Sequence, residues 1–198
     1  MHRVLEFSRD QEGWDAVSKV NTSGRVDYSN APSGLIARAI LNSGASIVAL
    51  DGSPGSGKSV LARNVAVQLS RMGVRVEIAS TDLDVLARDA RGDKEIIEFH
   101  PGEMVKEAVR TQLANIDGRI DLMAYDGRTG QHTKQDHLDI PGMSNGVLIV
   151  EGVRAIEHVV SVPDALRKSF LGLLNGSLEL IEKVRYQRDV SAKGLDPD

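Results

Sequence analysis

The sequence predicts an α/β fold with a mostly parallel sheet flanked by helices, and three observations carry that prediction. From Ala45 onward, short apolar, β-branched runs alternate with longer stretches of helical periodicity. Two of the runs, Ile47-Val48-Ala49-Leu50 after Ser46 and Val147-Leu148-Ile149-Val150, are apolar throughout, as strands buried on both faces are. The first feeds directly into a glycine-rich loop, DGSPGSGKS, with a helical pattern behind it.

The elements follow in order. Residues 1–43 form a polar leader that holds the one tryptophan, Trp14. Asn21–Gly34 is turn-rich and reads as a loop, and LIARAILNSG reads as a short helix closed by Gly44. The leader is expected to be helix and loop, packed as an appendage on a main domain of residues 44–198. In that domain ASIVAL and VRVEIAS are strands bracketing the helix KSVLARNVAVQLSRMG, whose Val60, Leu61, Val65, Val67 and Leu69 are placed to face a sheet. Met104, Val105, Ala108, Val109, Leu113 and Ile116 recur at helical spacing. RIDLMAYDG reads as a strand ending at Asp126, GRTGQHTKQDHLDIPGMSNG as a polar loop, VLIV and FLGLLN as strands, and SLELIEKVRYQRDVSAKG as a final helix.

Composition narrows the function classes. With 198 residues, 41% of them hydrophobic, the chain can bury one full core. A net charge of −4 gives no broad basic footprint, which argues against nucleic acid and anionic membrane as partners. The absence of cysteine excludes disulfides, thiolate metal sites and a cysteine nucleophile, and fits a cytoplasmic location. No run approaches the roughly 20 apolar residues of a membrane helix. The first residues lack the apolar segment of a signal peptide. A soluble protein of the cytoplasm is expected, with homo-oligomer formation left open.

Gly52-Ser53-Pro54-Gly55-Ser56-Gly57-Lys58-Ser59 matches G-x-x-x-x-G-K-[ST] in full. Glycines let the backbone curl so that successive N–H groups point inward at anionic oxygens. The helix behind them adds its positive end. Lys58 is expected on the β- and γ-phosphates and Ser59 on Mg²⁺, so the loop reads as a nucleoside triphosphate site in a three-layer P-loop NTPase.

Asp82 and Asp84 follow the second strand of the main domain, at the sheet's carboxyl edge where ligands of such folds bind. Either could instead cap a helix starting near Leu83. Glu151 ends another apolar strand, where an acidic residue can position Mg²⁺ through water. His132 and His137 lie in a polar stretch without partners at metal-ligand spacing, so no zinc site is expected.

The order GSPGSGKS, STDLD, EFHPGEM, AYDGRTGQHT, VLIVEGV and VRYQRDVSAKG resembles the uridine kinase and phosphoribulokinase group of P-loop kinases over residues 46–194. The resemblance implies a nucleoside-kinase-like fold, ATP and Mg²⁺, and transfer of the γ-phosphoryl group to a hydroxyl of a small metabolite. It makes Asp82 the general base, with a place near the metal, and Glu151 the metal-side carboxylate. It puts Arg185, Arg188 and Lys193 on a lid near residues 183–195, with the two arginines as phosphate-facing cations. His100, Tyr125 and Arg128, with Asp84, become candidate walls of the acceptor site.

Three positions depart from the nucleoside kinases in that group. Phe99 replaces the aspartate that holds ribose hydroxyls, Gly130 a base-reading histidine, and Leu195 a lid arginine. Uridine is therefore not the expected acceptor. The group also continues past the lid with a strand and helix near adenine, whereas this chain ends at GLDPD. A compact variant, cover supplied by the leader, and a piece of a longer chain all remain open. Two other classes also remain: an ATP-binding or ATP-hydrolysing switch, and a degenerate kinase-like protein that binds nucleotide without transfer. No N-K-x-D guanine-reading motif occurs.

Overall fold

The computed structural model describes residues 4–9, 19–20, 26–27, 33–92, 100–126 and 128–176. The strands are β1 (Val4–Arg9), β2 (Lys19–Val20), β3 (Val26–Asp27), β4 (Ile47–Gly52), β5 (Arg75–Ser80), β6 (Gly118–Asp126), β7 (Gln131–Ile140), β8 (Gly146–Glu151) and β9 (Ser169–Gly176). The α-helices are α1 (Ser33–Ser43), α2 (Lys58–Arg71), α3 (Glu103–Leu113) and α4 (Ala155–Val160).

Among the described residues the main sheet has the order β2-β3-β1-β9-β4-β8-β5, and every pairing in it is parallel except β2 with β3. The alternating apolar runs account for this. In β4, Val48 and Leu50 join the core beneath α1 and α2, while Ile47 and Ala49 join the core beneath α3 and α4. Val147 and Ile149 of β8 divide from Leu148 and Val150 in the same way. A strand with a side chain fully buried on either face has no place for a polar residue. Three layers result, as expected. The buried amide of Gln112 ties the amino ends of two strands together, donating from Nε2 to Ser46 O at 3.1 Å and to Gly146 O at 3.0 Å.

Three expectations need correction. The polar stretch after Asp126 is not all loop: β7 pairs antiparallel with β6 as a separate hairpin, with a bulge at Ala124/Tyr125. Pairing makes this strand, and among its described side chains Leu138 and Ile140 alone reach the core. On α2 the buried stripe is Leu61, Ala62, Val65 and Leu69, whereas Val60 and Val67 are exposed. The leader does carry a helix, α1, closed at Gly44 with a bond to Leu41 O, but it also supplies strands. In particular β1 runs parallel to β9 from Val4 opposite Leu171 to Arg9 opposite Gly176.

The expected final helix, and with it the lid near residues 183–195, lies outside the described residues, as do Trp14 and Phe99. Among the described residues no helix is long and apolar enough to cross a membrane.

Candidate functional site

The glycine-rich loop leaves β4 at its carboxyl end. Gly52, Gly55 and Gly57 have φ of +147°, +87° and +92°, conformations that side chains disfavour. A β-carbon on Gly52 would lie 2.5 Å from Leu174 O and 3.0 Å from Ser56 Oγ, so the loop closes against β9 only with glycine there. Ser56 N donates to Ser53 O at 3.1 Å, and Lys58 reaches back to donate from Nζ to Ser53 O at 2.8 Å. Lys58 is buried, which is rare for an ammonium and fits a charge kept for an anionic partner. Ser56 Oγ is also buried, with no hydrogen-bond partner among the described residues. Pro54 lies with Gly52 and Ser53 along a surface depression completed by Ile156, Val160 and Leu173.

Strand register brings the distant acids to this loop. Leu50 of β4 is opposite Glu151 of β8, which is opposite Ser80 of β5. The buried Glu151 carboxylate accepts from Ser59 Oγ at 3.0 Å. Burial is the main influence on it and pushes its pKa up, with the Asp82 charge adding to the rise. Hydrogen bonds from Ser59 and Ser80 and the charge of Lys58 act the other way.

Asp82 and Asp84 separate cleanly. The Asp82 side chain is 62% exposed and keeps its carboxylate at the open edge, with Oδ1 3.9 Å from Nδ1 of the buried His100. Asp84 Oδ2 instead accepts from Met104 N at 3.0 Å, in the first turn of α3. That is a helix-capping bond, but on α3; the helix expected to start near Leu83 does not form, residues 81–84 being turn. Desolvation lowers the pKa of His100, while Asp82 and a hydrogen bond to the Thr81 backbone oppose the shift.

Tyr125 lies beside the turn of the β6–β7 hairpin, where its hydroxyl bonds to Arg91 Nη2. Arg128 is exposed, with Nη2 4.0 Å from Asp126 Oδ2. His132 lies opposite Tyr125 at the turn end of the hairpin, its ring nitrogens 2.8 Å from Met123 O and 2.7 Å from Val85 O. His137 does have acidic neighbours, with Nε2 3.2 Å from Asp139 Oδ2 and Nδ1 4.0 Å from Asp136 Oδ1. Among the described residues no group of three or more His, Cys, Asp or Glu side chains is arranged to hold a metal ion. Arg185, Arg188, Lys193 and Leu195 lie outside the described residues.

The sequence reading missed Asp51 and Arg154. The Asp51 carboxylate accepts from Gly52 N at 2.6 Å, Arg154 N at 3.2 Å and Ile156 N at 3.0 Å, joining the loop's first residue to the start of α4. Arg154 has φ of +63°, and its Nη1 donates to His100 O at 3.3 Å. The position of Asp51, a carboxylate between an apolar strand and the first loop glycine, was the available signal. Nothing local marked Arg154.

No protein-family model matches the chain, and no curated protein does. Solved structures do match. A candidate fructose transport system kinase from Silicibacter sp. TM1040 shares 21% identity at a TM-score of 0.60, over 83% of this chain and 84% of that one. A candidate uridine kinase from Bacillus stearothermophilus shares 18% identity at a TM-score of 0.56, over 83% of this chain and 95% of that one. At these identities the likeness establishes architecture, and the chain shares the three-layer α/β fold of those two structures.

Proposed function

We propose that the protein is an ATP-dependent phosphotransferase that moves the γ-phosphoryl group of ATP to a hydroxyl of a small metabolite. The observation that carries this reading is the meeting of Ser59 and Glu151 at 3.0 Å beside buried Lys58, with Asp82 just past the end of the neighbouring strand. A switch needs the first three of these groups; a carboxylate beyond them on the open edge suits an acceptor.

In this reading the N–H groups of Gly52–Ser59 and the start of α2 hold the triphosphate, and Lys58 holds its β- and γ-oxygens. The Ser59 hydroxyl and the Glu151 carboxylate are the hard oxygen donors Mg²⁺ takes when it keeps waters and bridges to phosphate. Mg²⁺ bound there would neutralise charge on the phosphate oxygens. Asp82 orients the acceptor hydroxyl and accepts its proton as the acceptor oxygen bonds to the γ-phosphorus. The bond from that phosphorus to the β–γ bridging oxygen breaks, and ADP leaves with that oxygen. Asp84 is a weaker choice of base, since one of its oxygens is committed to Met104 N. His100, Tyr125 and Arg128 belong to the acceptor side, and the resemblance assigns Arg185 and Arg188, outside the described residues, to the phosphates. Gly130 and Phe99 make a nucleoside a poor fit.

The test is ATP consumption with Mg²⁺ across nucleosides, pentose phosphates, pantothenate and other small alcohols, with Asp82→Asn as control. ADP release that depends on one acceptor and is lost in the variant is the expected result. Nucleotide binding without acceptor-dependent release, across the whole panel, would overturn the reading.

A further inference from the structure

The turn that carries Asp82 is mounted on the residues that end β8. Ser80, the last residue of β5, pairs with Glu151 in the parallel register. One step on, Thr81 N donates to Glu151 O at 2.9 Å. Thr81 is fully buried, and a β-carbon on Gly152 would lie 2.0 Å from its Oγ1 and 2.9 Å from its Cβ. With φ of +138°, Gly152 leaves that space open, and its own N–H donates to Leu50 O at 3.1 Å. Leu83 N then donates to Ser80 O at 3.2 Å, closing a turn with Thr81 and Asp82 at its centre.

The Ser80 hydroxyl has two partners. Its oxygen accepts from Asp82 N at 3.2 Å, and it shares a hydrogen bond with the Glu151 carboxylate. A hydroxyl has one proton to give and lone pairs to receive with, so it can donate to the carboxylate while accepting from the amide. A serine bonded to the amide two residues on is a common local turn, which by itself says nothing about function. Here the same oxygen carries the contact further. Glu151 also accepts from Ser59 Oγ at 3.0 Å. A series of bonds therefore runs from the first turn of α2, through Glu151 and Ser80, to the backbone of Asp82.

Hydrogen bonds in series polarise one another, so a change at one member is felt at the next. The Asp82 side chain itself is held loosely. It is 62% exposed, and its ion-pair neighbour among the described residues is His100, at 3.9 Å and beyond hydrogen-bond reach. The aim of that carboxylate is set mainly by its backbone, and the Ser80 hydroxyl holds that backbone.

We infer that Ser80 is a positioning residue that couples the position of the Glu151 carboxylate to the placement of Asp82. The inference rests on the phosphotransfer reading for the roles of those two acids, but its first test needs no turnover. Amide exchange at Asp82 is followed by NMR on the full labelled chain, in the ADP complex with and without Mg²⁺. In the wild type Mg²⁺ is expected to slow exchange at Asp82 at least about threefold. That effect should vanish in Ser80→Ala and persist in Ser80→Thr, which keeps the hydroxyl. In transfer assays Ser80→Ala should lower kcat about tenfold while the KM for ATP changes less than about twofold, and Ser80→Thr should recover most of kcat. If Ser80→Ala lowers the melting temperature, Ser80→Cys, of nearly the same shape but a weak hydrogen-bonding group, replaces it in both measurements.

An Asp82 amide that ignores Mg²⁺ in the wild type, or a Mg²⁺ effect that survives in Ser80→Ala, overturns the inference. The two readings fail separately. A Mg²⁺ effect at Asp82 that needs the Ser80 hydroxyl, without ADP release from any acceptor, would sink phosphotransfer alone. Acceptor-dependent transfer at full rate in Ser80→Ala would sink the coupling alone.

Discussion

Ser59 and Glu151 stand 92 positions apart in the chain, and their side chains meet at 3.0 Å. The contact places a hydroxyl and a carboxylate together at the carboxyl ends of β4 and β8. It also sets a pH dependence, because burial raises the pKa of Glu151. A raised carboxyl pKa means the fold favours the protonated form, so this group's contribution to stability is present in acid and lost as pH rises through the raised value. Mg²⁺-dependent nucleotide binding has the opposite requirement, an ionised carboxylate. Binding should therefore weaken on acidification at a higher pH than an ordinary glutamate would cause. Glu151→Gln should be as stable as wild type or more so at pH 7.5, while Mg²⁺-dependent ATP affinity falls at least about tenfold. Thermal melts and nucleotide titrations with and without Mg²⁺ check both; a strong loss of stability with Mg²⁺ dependence intact would contradict them.

Lys58 makes the complementary case. Its buried ammonium is held across the loop by Ser53 O, so Lys58→Ala should leave the fold intact but remove productive triphosphate binding. Fluorescent-nucleotide titration is the direct measurement. Unchanged affinity would dismiss the phosphate-loop assignment.

The two aspartates after β5 should respond differently. Asp82→Asn is expected to leave ATP binding near wild type and cut transfer by about 10²-fold or more, the scale of a positioned base. Asp84→Asn should show its effect in stability, about 1 kcal/mol, through a weaker bond to Met104 N at the start of α3. Parallel denaturant melts and transfer assays on the two variants discriminate the roles. If Asp84→Asn alone abolishes transfer, the base has been assigned to the wrong carboxylate.

Asp51 predicts coupling between the loop and α4. Removing a carboxylate that accepts three backbone N–H groups should cost about 1–3 kcal/mol in Asp51→Ala. Asp51→Asn, which retains one carbonyl oxygen, should recover part of that. Urea melts of the pair measure it, and equal stability of wild type and Asp51→Ala would show that water replaces the carboxylate without cost.

How much was legible depended on the range of the physics involved. β4, β8, β9 and the glycine loop could be read because burial on both strand faces and positive φ leave a mark in the residue types, and the edge strand β5 because its β-branched run Val76, Ile78 does. The hairpin strand β7 could not, because pairing with β6 makes it a strand while Gln135, Asp136, His137 and Asp139 stay exposed. The stripe on α2 was read too broadly. Val60 and Val67 are apolar but exposed, and only the helix's rotation against the sheet selects Leu61, Ala62, Val65 and Leu69.

The sequence by itself determined the glycine-rich loop, the parallel strands that carry it and the acids at their ends. Tertiary structure alone decided what surrounds each acid. Asp82 and Asp84 have the same side chain two residues apart, and they differ because Met104 N arrives beside one of them while the other stays at the open edge. Likewise, strand order brings Glu151 to Ser59, and β1, from the start of the chain, lies along β9 from its end. Contacts between residues distant in sequence depend on the path of the whole chain, and no local pattern of residue types encodes that path.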